Sequence, residues 1–176
     1  MTTNWYSADN RLGVTSLMGA DSVANQITGS NATSAIGSVV AGIDGTLGGG
    51  EFIYLAGVAS LAVGDLVTYN PTTGVTALSP VTANLGEPVA VALNANTSAS
   101  NYSWFQIEGA AVILKDGVTF TGPNLPVYQS TTTGEVSATT GTGKQILNCT
   151  TLATAATTAT FVTCLINRPF MQGQII

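Results

Sequence analysis

Two stretches of the chain repeat one pattern: LVTYNPTTGVTAL at residues 66–78 and LPVYQSTTTGEVSAT at residues 125–139. In each, a short apolar run ends on an aromatic, passes through Thr-Thr-Gly and resumes as an alternating run. Tyr69 and Gly74 mark the first copy and Tyr128 and Gly134 the second, with one residue inserted. Glycine supplies the positive φ that a tight reversal needs, so each stretch predicts a β-hairpin. Each hairpin is followed by a Gly-led strand, GEPVAVAL and GKQILNC, which makes the pair candidate halves of one small barrel. The plain alternative is a chance echo between low-complexity Thr/Gly segments.

The same kind of pattern fills the chain from Glu51 onward. EFIYLAGVA, DLVTYN, VTALSPV, EPVAVALNA, PVYQS, EVSAT, KQILNCT and TFVTCLINR read as strands, and YSWFQIEGAAVIL as two short strands separated at Gly109. Runs of four to eight residues rich in Val, Ile, Thr and aromatics, punctuated by Gly and Asn, predict an all-β domain. Only TTLATAATTA hints at a helical period, and its threonines weaken it.

The first fifty residues are different, with apolar positions spread thinly among Gly, Ala, Ser and Asn. Such residues discourage a long helix, although a short one over residues 20–27 is an alternative. Gly48-Gly49-Gly50 reads as a flexible hinge. The expected organisation is an extended N-terminal arm over residues 1–50 and a β-barrel or β-tulip-like domain over residues 51–176. Trp5, Tyr6, Leu12, Leu17, Met18, Val39 and Val40 make the arm more apolar than a solvated tail requires, and are its candidate interface residues.

Composition sharpens this picture. Charged residues are 7% of the chain, hydrophobic residues 45%, and mean hydropathy is +0.36. Charge normally keeps monomers apart, so a neutral surface rich in Thr, Ser, Asn and Gly is expected to be covered by other subunits. The longest apolar candidate, FIYLAGVASLAVGDLVTY, is broken by Gly57, Ser60, Gly64 and Asp65, and predicts no membrane span. Arg11, Lys115, Lys144 and Arg168 are scattered, and with a net charge of −5 they predict no nucleic-acid partner. The start of the chain has neither the basic residues nor the apolar core of a signal peptide, and the expectation is a protein that matures where it is made.

Candidate chemistry is sparse. The chain has no histidine, which removes Ser-His-Asp and Cys-His catalysis. Cys149 and Cys164 read as two small buried thiols, with a cross-strand disulfide as the alternative, and two cysteines without histidine make no zinc site. The nine carboxylates are spread without a calcium-loop cluster. Glu87 and Glu108 are the pair a glycosidase would use, but each adjoins a Gly or Pro where a solvated acid at a turn is ordinary. TGTGK lacks the spacing of a phosphate loop. For Trp104-Phe105 the expectation is one ring in the core and one at the surface. No enzymatic activity, cofactor or metal is expected.

The β half resembles the capsid decoration, or cement, proteins of tailed bacteriophages. The resemblance is carried by Gly64–Tyr69, Gly86–Leu93, Ile107–Val112, Leu125–Tyr128 and Phe161–Ile166, and covers about residues 51–170. Ala90 and Pro126 depart from it, at positions where that family often has glycine. It implies a structural virion protein, assembled in the host cytoplasm, that binds the outer capsid surface as a homotrimer. Its partner would be the major capsid protein, and its task capsid stabilisation by bridging subunits. The alternative reading is a head-fibre or receptor-binding module of a phage particle.

Overall fold

The computed structural model describes residues 6–7, 34–96, 99 and 101–174. Among these there is no α-helix; the chain forms eleven strands in one curled antiparallel sheet, a β-barrel-like domain. The strands are β1 (Tyr6–Ser7), β2 (Val39–Asp44), β3 (Gly48–Ala56), β4 (Leu66–Tyr69), β5 (Thr76–Leu78) and β6 (Val89–Ala92). They continue with β7 (Tyr102–Leu114), β8 (Pro126–Gln129), β9 (Val136–Ser137), β10 (Gln145–Thr151) and β11 (Phe161–Met171).

The sequence echo is a structural repeat. β4 pairs β5 and β6, and β6 pairs β7; likewise β8 pairs β9 and β10, and β10 pairs β11. An isolated antiparallel bridge precedes each hairpin, Leu61 to Asn96 in the first half and Phe120 to Ala155 in the second. The halves join where β7 and β11 pair, from Phe161 opposite Leu114 to Asn167 opposite Glu108. Both turn glycines take positive φ, 68° at Gly74 and 83° at Gly134. The two hairpin connections, residues 70–75 and 130–135, are equal in length, so the inserted residue falls at the end of β8 rather than in the turn. Gly134 also docks on the first hairpin: its N–H donates to the Ser79 carbonyl (3.0 Å) and its carbonyl accepts from the Leu66 N–H (2.7 Å).

Two main cores follow from this curl. Leu66, Val89, Val91, Ile113, Val127 and Ile166 point into the barrel with their neighbours. Ile53, Leu55, Val67, Ala90, Ala92 and Phe105 form a second layer behind β4 and β6. Hence all of Val89–Ala92 is buried: the valines fill the barrel and the alanines admit the layer behind. In β10 a bulge at Asn148, with a left-handed φ of 57°, puts both Ile146 and Cys149 on the core side although strict alternation would not.

Three expectations are corrected. Gly48–Gly50 is no hinge; these residues open β3 and pair with Gly42–Asp44 of β2, because the approach of β7 leaves no room for a Cβ at Gly50. Residues 39–50 therefore belong to the sheet rather than to an arm. Tyr102–Leu114 is one strand, not two. It stays continuous through Gly109, at φ 98°, pairing β3 with its first part and β11 with its second. Gln106, buried at this irregularity, donates through its amide nitrogen to the carbonyls of Glu108 and Ala110, 3.0 Å each.

Candidate interaction surfaces

Outward-facing residues of β7, β11 and β10 build the first surface. Residues opposite one another in an antiparallel ladder project to the same side. One row is Ala110, Leu165 and Thr150; the next is Val112 and Thr163, where Leu152 also lies, its N–H donating to the Thr163 carbonyl (2.8 Å). A third row pairs Leu114 with Phe161, whose ring closes over Gly64. Leu165 is 49% exposed and Leu152 41%; Val112, Leu114 and Phe161 are half-buried. None of these residues is charged. Charge borders these rows at one end, where Glu108 stands opposite both Glu51 and Asn167 and Arg168 pairs with Glu51, and at the other, where Lys115 and Asp116 follow Leu114 and Asp65 follows Gly64.

The other side of the same strands is core. Val162, Cys164 and Ile166 alternate with Phe161, Thr163 and Leu165, so β11 is nearly apolar on both faces. A strand of that kind is normally covered on both sides. Here the described residues leave one side exposed.

The second surface lies on β2, near one end of the strand order, and on the first hairpin, which branches from it. Val39 and Ile43 are exposed on one face of β2, and Ile36 packs over Gly74 beside the exposed Val75. An open groove of about 540 Å³ runs along that hairpin, between Tyr69, Asn70 and Val75 on one side and Gly86, Glu87 and Pro88 on the other. Burial pushes the Tyr69 hydroxyl's pKa up, against the opposing pull of the Arg168 charge.

The residues singled out in the sequence divide as follows. Val39 lies on the second surface. Val40 turns the other way and packs, partly buried, against the cluster of Phe52 and Leu93. The backbone of Tyr6 pairs with Ile43, while Trp5, Leu12, Leu17 and Met18 lie outside the described residues. Phe105 is fully buried, and Trp104 is half-buried against the Tyr54 ring, with centroids 5.1 Å apart. Glu87 is exposed in the irregular segment before β6, and Glu108 is corrected from a turn residue to one within β7. Cys149 and Cys164 are unbridged and buried. Among the described residues, no three His, Cys, Asp or Glu side chains come together as a metal site, and no helix is long and apolar enough to cross a membrane.

Sequence reasoning missed the surface of Leu152, Phe161 and Leu165. Its signal was present: FVTCLI is apolar at both parities, not alternating. No protein-family model matches the chain, and neither does any curated protein.

Proposed function

We propose that this protein is a non-catalytic structural component of a phage particle, a capsid decoration protein that binds the outer surface of the shell and holds neighbouring subunits together. The observation that carries this reading is the pair of apolar surfaces left exposed by the described residues, one on β7, β11 and β10 and the other on β2 and the first hairpin, on a chain with 7% charged residues. A bridge needs two separate contacts, and a stable one takes roughly 800 Å² per partner. Repeated over many sites, even modest contacts make a shell hard to open. The β2 flank, continuous with the residues that precede it, suits the shell side.

Emptied capsids of the phage that encodes this chain provide the test. Purified protein should co-sediment with them, saturating at a copy number of the same order as the major capsid protein, and should raise the temperature at which the shells open. A chain lacking residues 1–20 should bind more weakly while keeping its β-sheet circular dichroism. Failure of the full chain to co-sediment would overturn the reading, and a copy number of only a few per particle would favour a fibre instead.

A further inference from the structure

We propose that the groove at Tyr69 and a matching groove at Tyr128 are twin subsites for one neutral polysaccharide, laid across both. The inference goes beyond the decoration reading and does not rest on it, because it concerns the chain free of any shell.

The internal repeat builds the same site twice. The second groove, of about 400 Å³, is lined by Tyr128, Thr140, Thr142, Gly143, Gln145 and Gln172. Three of its positions match the groove described above. Tyr128 corresponds to Tyr69; Gly143, at φ 72°, to Gly86, at φ 65°; and Gln145 to Pro88, each two residues past its glycine. The neighbours match as well: the Tyr69 N–H donates to the Pro88 carbonyl (3.2 Å), and Gln145 stands opposite Tyr128 in the β8–β10 ladder. Each groove therefore lies where the first strand of a hairpin meets the Gly-led strand that follows it.

The two grooves also adjoin. The Asn84 N–H donates to the Gly143 carbonyl (2.9 Å) and the Gly86 N–H to the Gln172 carbonyl (3.4 Å), so a wall of the first groove touches a wall of the second. Two like subsites held side by side suit a ligand whose own chemistry repeats, since occupying the first makes the second an intramolecular event.

The lining selects the kind of ligand. A sugar ring presents an apolar C–H face edged by hydroxyls, each of which both donates and accepts. A tyrosine offers an apolar ring with a polar tip, and Thr hydroxyls and Asn or Gln amides likewise both donate and accept. The grooves supply Tyr69, Asn70 and Thr73 on one side and Tyr128, Gln145 and Gln172 on the other. No Lys or Arg lines either groove, and the net charge is −5, so an anionic chain gains no partner there and is repelled at a distance. Arg168, whose charge acts on Tyr69, is already paired with Glu51. Both volumes fall within the roughly 300–1,000 Å³ of small-ligand sites.

The test is affinity electrophoresis of the full chain in native gels containing a soluble neutral glucan, mannan or galactan, with alginate as an acidic polymer and poly-L-proline as a peptide polymer. At least one neutral polysaccharide should retard the chain. Ala77→Arg and Thr142→Arg, at exposed positions of the first and second groove, each obstruct one subsite. Each should weaken the affinity by about tenfold or more, and the two together should abolish it, with circular dichroism unchanged. Leu152→Arg adds the same charge just past the other end of β10 from Gln145 and should leave the affinity as it is. Retardation by none of the three neutral polymers would overturn the proposal, as would retardation that survives the double substitution or is stronger with alginate. Binding of poly-L-proline in place of the sugars would make the grooves a peptide site instead. The outcome is separable from the decoration reading: a chain that binds a neutral polysaccharide but ignores shells upholds this inference alone, and one that does the reverse upholds the other alone.

Discussion

Gly50 and Gly109 face each other across β3 and β7, and neither position can take a side chain. A Cβ on Gly50 would stand 2.6 Å from the Glu108 carbonyl oxygen, and one on Gly109 would stand 3.0 Å from the Gly50 Cα while colliding with the Gly49 carbonyl. Gly109 also holds φ at 98°, which L side chains rarely adopt. This close contact lies at the bulge in the β3–β7 ladder, where β7 passes from β3 to β11 and from one core to the other.

Gly109→Ala should therefore destabilise the fold by about 2–4 kcal/mol, read as a fall in melting temperature of roughly 5–15 °C. Gly49→Ala is the matched control. It lies in the same strand as Gly50, with nothing within 4 Å of its built Cβ and no positive φ. It should be neutral or stabilising by about 0.4–1 kcal/mol, since it only restricts the unfolded chain. Equal losses at both positions would contradict the close-contact account.

Asp65 is buried beneath the second hairpin, and one of its carboxylate oxygens accepts the Ala62 N–H at 2.6 Å. Burial raises its pKa above 3.8, and the Ala62 hydrogen bond offsets only part of that. Below 3.8 the group is protonated in both the folded and unfolded states, and as pH climbs through the folded value the buried charge costs stability. Asp65→Asn keeps the acceptor and removes the charge. Its stability relative to wild type should rise from strongly acidic to neutral pH in denaturant titrations, and a difference that falls with pH would refute this.

Lys115 is a buried cation with no carboxylate partner among the described residues. Its ammonium donates to the carbonyls of Asp116, Ala156 and Ala159, the last two at 3.2 Å, and so ties the connection after β10 to the end of β7. Lys115→Met fills similar space but leaves those carbonyls without their donor. A loss of about 2–4 kcal/mol is expected, together with faster protease cleavage between residues 152 and 160, measured by mass spectrometry. Unchanged cleavage would mean that the segment is held by other contacts.

Cys149 and Cys164 sit in the barrel core on neighbouring strands. A hydrogen bond with Cys164, followed by burial, pushes the Cys149 thiol well above its ordinary range. The thiolate is the reactive form, so this thiol should be inert while the protein is folded. A chromogenic disulfide reagent at mildly alkaline pH should label neither cysteine in the native chain and both in concentrated guanidinium. Rapid native labelling would show that the core opens locally.

Much of the fold is legible in the sequence, for reasons visible in particular residues. Val, Ile and Thr runs broken by Gly and Asn specify strands locally, and Gly74 and Gly134 announce their turns because positive φ excludes most other residues. The matching hairpins foretell the repeated pairing of β4–β7 and β8–β11. The features that sequence misreads depend on partners distant along the chain. Gly48-Gly49-Gly50 resembles a linker until the Glu108 carbonyl is seen against it, and Gly109 resembles a break until both neighbours of β7 are in place.

The candidate surfaces divide in the same way. Sequence alone determined that the chain is all-β and nearly uncharged, and that Phe161–Ile166 is apolar at both parities, since those properties belong to residues taken one by one or in short runs. It could not decide which side of that strand meets the core, because a period of two defines two faces without saying which is covered. Only the tertiary structure decided it. The curl of the sheet turns Val162, Cys164 and Ile166 into the barrel and leaves Leu165, Thr163 and Phe161 on the outside, because the barrel interior takes only one face of a strand and the second layer that covers the other face of β6 does not extend over β11 among the described residues.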